Sequence, residues 1–269
     1  MEESEETKAR LEAMWRDVLT HGHGSSRLAF LPGFPRCATC HTPFGSIGGR
    51  MGRLLGRRPS RKSPNLCNHC DELMPPGGAE VDIAVLFADV RGSTGLGERM
   101  GPSAFATLLN RFYKAAHGAL LANEAMIDKM IGDEVMALFI PGFCGPDPKY
   151  RVAAVRAAVD LMRSAGYGGR GEPWLPLGIG VHAGPAYVGK VGSEGVYDFT
   201  ALGDTVNSAA RLQAQAGPGE IVLSEAVYQA VADRFPNLEQ KTVSLRGRDE
   251  TIMIRVLKPA TLSPAQLGR

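Results

Sequence analysis

The sequence predicts an α+β protein in which helices back a mostly antiparallel sheet. An alternating strand comes first, followed by a long amphipathic helix, an apolar hairpin, a second helix and further strands. The order β, α, β-hairpin, α, β is typical of a ferredoxin-like arrangement. The predicted elements of this region are a strand over 81–88, a helix over 102–123, a hairpin over 126–140, a helix over 150–164 and strands over 175–182 and 185–191.

Length and composition limit the classes of protein that this chain can be. Its 269 residues are enough for one catalytic domain and a smaller module. The formal net charge of +2 is too small to require an acidic partner. No run of about 18 apolar residues predicts a membrane span. The acidic N-terminus, MEESEETKAR, lacks the apolar segment of a secretory signal, so we expect a cytoplasmic protein.

Residues 3–20 carry apolar side chains at helical spacing and predict an amphipathic helix. Its apolar face is expected to dock on the rest of the chain or on a second copy, because its polar face is too acidic for a membrane surface. A linker is predicted at 75–78, where prolines and glycines cluster. We therefore expect an N-terminal module over 1–78, a catalytic domain over 79–260 and a tail over 261–269.

Two CxxC pairs predict a metal site in the N-terminal module. They are Cys37 with Cys40 and Cys67 with Cys70. Each pair presents two sulfurs to one ion, and four thiolates in a tetrahedron suit structural Zn²⁺. An iron–sulfur cluster uses the same four thiolates and is the alternative. Large apolar residues are few here, so bound metal would supply much of the folding free energy of the module.

The segment between the two pairs, GGRMGRLLGRRPSRKSPN, is strongly basic and contains no acid. Such a loop could bind nucleic acid, anionic lipid or an acidic partner. It lacks the interleaved aromatic residues that stack on bases. A solvated flexible loop is the favoured interpretation, and nucleic acid is not expected as a partner.

The strand over 81–88 runs into Asp89 and a short polar turn, while Asp133 lies at the tip of the hairpin. If strand and hairpin are neighbours, the two carboxylates converge and repel each other unless a cation lies between them. Carboxylates suit Mg²⁺ or Mn²⁺. Two such ions can stabilise the attacking and leaving oxygens of a phosphoryl transfer. The alternative is that Asp89 only caps the next helix.

A strand over 197–202 leads into a predicted helix over 205–215, and late strands are expected near 221–223, 242–245 and 251–256. Within the helix, Asn207 and Arg211 are four residues apart and therefore share one face. A guanidinium on that face could stabilise charge that develops on a phosphate during its transfer.

Four ordered motifs, FADVRGST, KMIGDEVMALF, GVHAGPAYVGKVG and YDFTALGDTVNSAARL, together resemble the catalytic domain of the class III nucleotidyl cyclases. The resemblance covers roughly Val81 to Lys258. The family makes cyclic AMP or cyclic GMP from the corresponding triphosphate with two metal ions. The resemblance therefore implies the class III cyclase fold and a lyase with two Mg²⁺ or Mn²⁺ ions in each active site.

The resemblance also implies roles for residues near the metal and phosphates. Asp89 and Asp133 match the two metal-binding acids, joined by the backbone carbonyl of Val90. The phosphate-binding turn is matched by Gly92, Ser93 and Thr94. Arg246 takes the place of a lysine that holds the terminal phosphates, a change that keeps the charge and alters its geometry.

Further matches concern the base and the ribose. Lys129 matches the lysine that donates to adenine N1, and Thr200 matches the second base-reading position of a bacterial subgroup that uses ATP. A threonine hydroxyl can accept or donate, so Lys129 carries more of the ATP assignment. Asn207 matches the residue that orients the ribose, and Arg211 matches the one that stabilises charge on the α-phosphate.

The expected activity is that of an adenylyl cyclase that acts on ATP. The alternatives are a guanylyl cyclase and a catalytically silent module that senses nucleotide. In this family one domain supplies the metal acids and a second supplies the asparagine and arginine, so the complete set in this chain implies a homodimer. Pro185 departs from the family pattern, because some relatives carry an arginine there near the phosphates. The N-terminal module would regulate or clamp the dimer.

Overall fold

The fold is that of a computed structural model, which describes residues 5–22, 28–60, 64–169, 171–193, 196–244, 251–262 and 266. The strands of this part of the chain are β1 (Gly77–Val90), β2 (Met126–Ile131), β3 (Glu134–Phe139), β4 (Leu177–Ser193), β5 (Val196–Leu202), β6 (Ile221–Ser224), β7 (Glu239–Ser244) and β8 (Thr251–Leu257). They form one sheet in the order β2-β3-β1-β4-β6-β8-β7, and β5 also pairs with β4. All of these pairings are antiparallel except that of β4 with β6. The predicted α+β fold with a mostly antiparallel sheet is confirmed.

The helices are α1 (Glu5–His21), α2 (Ser46–Leu54), α3 (Asn68–Leu73), α4 (Ser93–Met100), α5 (Pro102–Ala122), α6 (Pro141–Cys144), α7 (Lys149–Ser164), α8 (Asp204–Ala214) and α9 (Glu225–Tyr228). Helices α5 and α7 pack against each other, and both α7 and α8 contact β1 and β4. The three helices predicted over 102–123, 150–164 and 205–215 are therefore α5, α7 and α8. In the described part of the chain, no helix combines the length and the apolarity that a bilayer crossing requires.

Strand β1 lies in the interior of the sheet. It pairs with β3 on one side and along its whole length with β4 on the other. Residues 83–88 are all buried, which explains the nearly continuous apolar run in this segment. The half-buried Asp89 follows directly, so β1 delivers a carboxylate from the core to the edge of a site.

The prediction of two strands over 175–182 and 185–191 is wrong, because the single strand β4 runs through both. Pro185 lies opposite Asp82 of β1. On its other side, β4 pairs with β6 before this point and with β5 only from Tyr187 onward. Proline lacks an N–H group, but on that side no neighbouring strand pairs with Pro185, so no hydrogen bond between strands is lost there.

The basic segment between the cysteine pairs contains a helix rather than a continuous flexible loop. Its first part forms α2, whose buried face consists of Gly48, Gly49 and Gly52. An added Cβ at Gly48 or Gly49 would overlap with the backbone oxygens of Pro32 and Phe44. These glycines allow close packing of the helix, although in the sequence they resemble loop signals. Residues 61–63 lie outside the described part of the chain.

The N-terminal segment docks on the sheet of its own chain. Helix α1 contacts β1, and its Trp15 is buried against Phe199 of β5 with a ring separation of 5.9 Å. Near the cysteines, Asn65 donates to the backbone oxygen of Ala125 and accepts from the amide of Ile127 at 3.2 Å. The module is therefore attached directly to the start of β2.

Candidate active site and metal centre

The two acids predicted to bind metal lie together at the end of β1. Asp89 is opposite Glu134 in the β1–β3 ladder, and the Val90 amide donates to the backbone oxygen of Asp133 at 3.1 Å. Burial and the neighbouring Asp133 carboxylate raise the pKa of Asp89 to about 6, although Arg91, at 3.1 Å, opposes this rise. A cation between the two carboxylates would relieve their repulsion.

Tyr113 of α5 fixes the hairpin tip that carries Asp133. Its hydroxyl donates to the backbone oxygen of Gly132 at 2.6 Å. Gly132 has a φ of 60°, in the left-handed region that favours glycine. This contact could not be predicted from the sequence, because no local pattern connects a helix residue with a turn 19 positions later.

The segment predicted as a phosphate-binding turn is the beginning of α4. Gly92 precedes the helix with a φ of 68°, and Ser93 and Thr94 lie in its first turn. First-turn amides have no partner within a helix, so they can bind an anion. Among the described residues no side chain caps this helix, so the alternative role of Asp89 as a cap is wrong.

Lys129 of β2 and Thr200 of β5 lie side by side. The Lys129 ammonium donates to Thr200 Oγ1 at 3.1 Å, and the Thr200 hydroxyl donates to Asp128 Oδ2 at 2.7 Å. The Asp128 side chain is only 1% exposed, and its Oδ1 lies 3.6 Å from the Lys129 ammonium. Burial raises the pKa of Asp128, and the hydrogen bonds from Thr200, Lys129 and the Ala201 amide counteract this rise.

The contacts of Asp128 with Thr200 and Lys129 could not be predicted from the sequence either. In a regular strand, Asp128 and Lys129 would point to opposite faces of the sheet. The β2–β3 register shifts between Ile127 and Lys129, which makes Asp128 the extra residue of a bulge. A bulge changes the direction of a side chain, and here both Asp128 and Lys129 contact Thr200. The only sequence signal for these contacts is the presence of an acid, Asp128, within a predicted apolar strand directly before Lys129.

Asn207 and Arg211 share one face of α8, whose start is held on β4 by a 2.6 Å hydrogen bond from the Thr205 hydroxyl to the Pro185 oxygen. Asn207 is exposed and Arg211 is half-buried. Within the described ranges neither side chain makes a hydrogen bond or ion pair. The structure therefore does not join them to the acids of the same chain. Arg246 lies outside the described residues.

The four cysteines of the CxxC pairs converge in one buried cluster. Their sulfurs all lie within 4.8 Å of one another and could hold a metal ion. The sulfurs of Cys40 and Cys67 are 3.7 Å apart. Hydrogen bonding from Cys37 lowers the pKa of Cys40 and lowers that of Cys67 to about 6. Side-chain hydrogen bonds with Cys40 and Cys37 raise the pKa of Cys37 and Cys70, respectively. Two of the four cysteines, Cys40 and Cys67, therefore favour the thiolate, which is the metal-binding form of cysteine.

Arg57, from the basic segment, contacts this cluster rather than solvent alone. Its guanidinium donates to the Cys40 sulfur at 3.5 Å and to the Cys67 sulfur at 3.9 Å. Four thiolates around a divalent ion carry an excess negative charge, which a guanidinium can offset. The contact was not foreseen, because the six cations of the segment are equivalent in the sequence.

A model of the adenylate and guanylate cyclase catalytic domain matches residues 78–258. An adenylate cyclase of Anabaena cylindrica is 34% identical over 186 residues, which are 65% of this chain and 36% of that protein. An uncharacterized protein of Mycobacterium tuberculosis is 31% identical over 219 residues, 80% of this chain and 39% of that protein. The chain thus spans between a third and two fifths of the length of these relatives.

Solved structures of cyclases have the same fold. The guanylyl cyclase Cya2 superposes with a TM-score of 0.59 at 26% identity, over 67% of this chain and 93% of that one. The adenylyl cyclase CyaB from P. aeruginosa gives a TM-score of 0.56 at 27% identity, over 66% of this chain and 95% of that one. Since the family model covers more than half of the sequence, the chain belongs to the class III adenylate and guanylate cyclase family.

Proposed function

We propose that this chain is an adenylyl cyclase, which converts ATP into 3′,5′-cyclic AMP and pyrophosphate. The observation that carries the proposal is the placement of Lys129 beside Thr200, 3.1 Å apart. An ammonium can only donate, so it suits the N1 acceptor of adenine and not the N1–H donor of guanine. The similar solved structures include both a guanylyl and an adenylyl cyclase, so the fold does not distinguish ATP from GTP. The assignment of the base therefore depends on these two residues.

The acid pair fits two hard divalent cations. Asp89, Asp133 and the backbone carbonyl of Val90 supply oxygen ligands of the kind that Mg²⁺ and Mn²⁺ prefer. The raised pKa of Asp89, to about 6, reflects burial and a charge repulsion that bound cations would remove. When bound, such ions supply Lewis-acid activation of the ribose 3′-hydroxyl and neutralise phosphate charge.

The other residues bind and orient the nucleotide. The start of α4, from the N-cap residue Gly92 to Thr94 in the first turn, offers backbone amides to the phosphates. Asn207 orients the ribose, so that its 3′-oxygen faces the α-phosphate. Arg211 stabilises the charge that develops there as pyrophosphate leaves. Arg246 is assigned to the terminal phosphates on the resemblance alone.

Product identification tests the proposal. The protein is incubated with ATP or GTP and either Mg²⁺ or Mn²⁺, and the nucleotides are separated by chromatography. Cyclic AMP from ATP is the expected result. Cyclic GMP as the main product would mean that the surroundings override Lys129. A metal-loaded dimer that forms neither product would instead indicate a silent nucleotide-sensing module.

Changing Tyr113 to phenylalanine should lower kcat/KM for ATP by about tenfold, because the tip that carries Asp133 loses its hydrogen bond. Steady-state rates at increasing Mg²⁺ concentration provide the measurement, and the apparent Mg²⁺ affinity should fall as well. Tyr197→Phe, on β5, serves as the matched control and should keep both values. An unchanged Mg²⁺ dependence in Tyr113→Phe would contradict this positioning role.

Zinc is the proposed occupant of the cysteine cluster. Sulfurs that share one tetrahedral Zn²⁺, at about 2.3 Å each, stand about 3.8 Å apart, close to the 3.7 Å between Cys40 and Cys67. In an iron–sulfur cluster the four cysteines are divided among two or four iron atoms, which spreads the sulfurs farther than around one ion. The close approach of all four sulfurs supports a single ion.

The purified protein should therefore contain one zinc ion per chain, and Cys40→Ser should lose it. We expect a loss of about 3 kcal/mol of stability, or about 6–12 °C in Tm, because the module is attached to β2 through Asn65. Elemental analysis and thermal unfolding measure both effects. Cys144→Ser changes a buried cysteine outside the cluster and should keep its zinc. Iron with sulfide in the purified protein would refute the zinc assignment.

A further inference from the structure

Asp128 occupies a place that no role in the proposed mechanism explains. Its side chain is almost fully buried, and the bulge in β2 brings it against Lys129 and Thr200, the two residues assigned to the base. Three donors converge on its carboxylate: the Thr200 hydroxyl, the Lys129 ammonium and the Ala201 amide. A buried carboxylate is unfavourable unless it is hydrogen-bonded, and these three donors offset the cost of burying Asp128.

The protons of this group can be assigned from chemistry alone. An ammonium is only a donor, and an ionised carboxylate is only an acceptor. The hydroxyl of Thr200 has one proton and two lone pairs, so it accepts from Lys129 and gives its proton to Asp128 at 2.7 Å. The remaining lone pair of Thr200 is left to accept from a ligand. Asp128 thus removes the ambiguity of a threonine hydroxyl.

We propose that Asp128 is a specificity-determining positioning residue that makes Thr200 an acceptor and thereby favours a 6-amino purine over a 6-oxo purine. The inference rests on the proposed function, since it assigns the base of the same nucleotide site. Adenine presents an acceptor at N1 and a donor at its 6-amino group, which match Lys129 and Thr200. Guanine and hypoxanthine present a donor at N1 and an acceptor at O6, so both contacts fail.

The test is Asp128→Asn, measured with ATP and with inosine 5′-triphosphate. Inosine triphosphate carries the N1–H and 6-oxo groups of GTP without the 2-amino group. The carboxamide can donate to Thr200, which frees the threonine proton to donate to O6. We expect the ratio of kcat/KM for ATP to that for inosine triphosphate to fall about tenfold. Asp198→Asn, the same change at an exposed site on β5, should leave the ratio unchanged.

A second background shows whether the effect acts through the threonine. In Thr200→Val protein no hydroxyl remains to be oriented, so adding Asp128→Asn should change the ratio by less than about twofold. If Asp128→Asn lowers the use of both nucleotides equally in protein that retains Thr200, Asp128 is merely structural and the proposal is overturned. Should Asp128→Asn not fold, Asp128→Ser also removes the carboxylate, and the same shift is expected.

Nucleotide binding separates this proposal from the proposed function. Displacement of a fluorescent ATP analogue by ATP and by inosine triphosphate reports discrimination without turnover. If the unmodified protein makes no cyclic product, the cyclase proposal fails, while a displacement ratio that falls in Asp128→Asn still supports the role of Asp128. A displacement ratio near one in the unmodified protein would overturn the role of Asp128 even if cyclic AMP is formed.

Discussion

Asp89→Asn protein should form cyclic nucleotide at least about a thousandfold more slowly than the unmodified protein, a loss of about 4 kcal/mol in transition-state stabilisation. The asparagine keeps the shape of the side chain and removes one of the two converging carboxylates. Asp133→Asn should have the same effect, because the two acids lie together at the end of β1. Single-turnover rates with ATP at saturating Mn²⁺ provide the measurement.

The same Asp89→Asn variant should be more stable than the unmodified protein in the absence of metal. The pKa of Asp89, about 6 in the fold, lies above its ordinary value of 3.8, mainly because of burial. For a raised carboxyl pKa, stability is present at low pH and is lost as the pH rises through 6. At pH 7.5 the change should therefore add about 1–2 kcal/mol, and the opposing attraction of Arg91 is already contained in that pKa.

Opposite changes in activity and stability make this result hard to attribute to misfolding. Thermal unfolding with a chelator should show a midpoint that is a few degrees higher in Asp89→Asn. Glu98→Gln, at an exposed acid on α4, is the control and should change neither property. A rate close to that of the unmodified protein in either asparagine variant would falsify the two-metal assignment. A drop in both activity and stability would show that Asp89 is structural.

The parts of the fold that depend on local patterns could be predicted from the sequence. The alternation before Asp89 predicts the strand β1, and the helical stripes predict α5 and α7. The proximity of Asp89, at the strand end, and Asp133, at the hairpin tip, also follows from these elements, because the pairing of the two strands alone brings the acids together.

The contacts that orient the site could not be predicted, because they depend on distant parts of the chain. Tyr113 reaches a turn beyond the end of its own helix, and Thr200 meets Asp128 across 72 positions. The bulge that turns Asp128 toward Lys129 shifts the register by one residue, which strand periodicity does not reveal. The sequence predicts a break between two strands at 183–184, yet β4 continues through it, paired with β1 on one side and with neither β5 nor β6 on the other.

Mixing inactive Asp89→Ala protein with inactive Arg211→Ala protein should restore about a quarter of the unmodified activity. Random pairing makes half of the dimers mixed, and each mixed dimer has one of its two sites intact. A shared site is expected because the predicted site residues of one chain do not all come together. Neither Asn207 nor Arg211 contacts Asp89 or Asp133 among the described residues. A second copy could bring the two sets together.

Two further mixtures distinguish a shared site from separate sites. Asp89→Ala mixed with Asp133→Ala should stay inactive, because both changes affect the same half of the site. A chain that carries both Asp89→Ala and Arg211→Ala should inactivate an unmodified partner, since each shared site would then contain one altered residue. Separate sites would instead leave the unmodified partner active in every mixed dimer. Native mass spectrometry establishes that mixed dimers form, so an unaffected unmodified partner would mean that each chain builds its site alone.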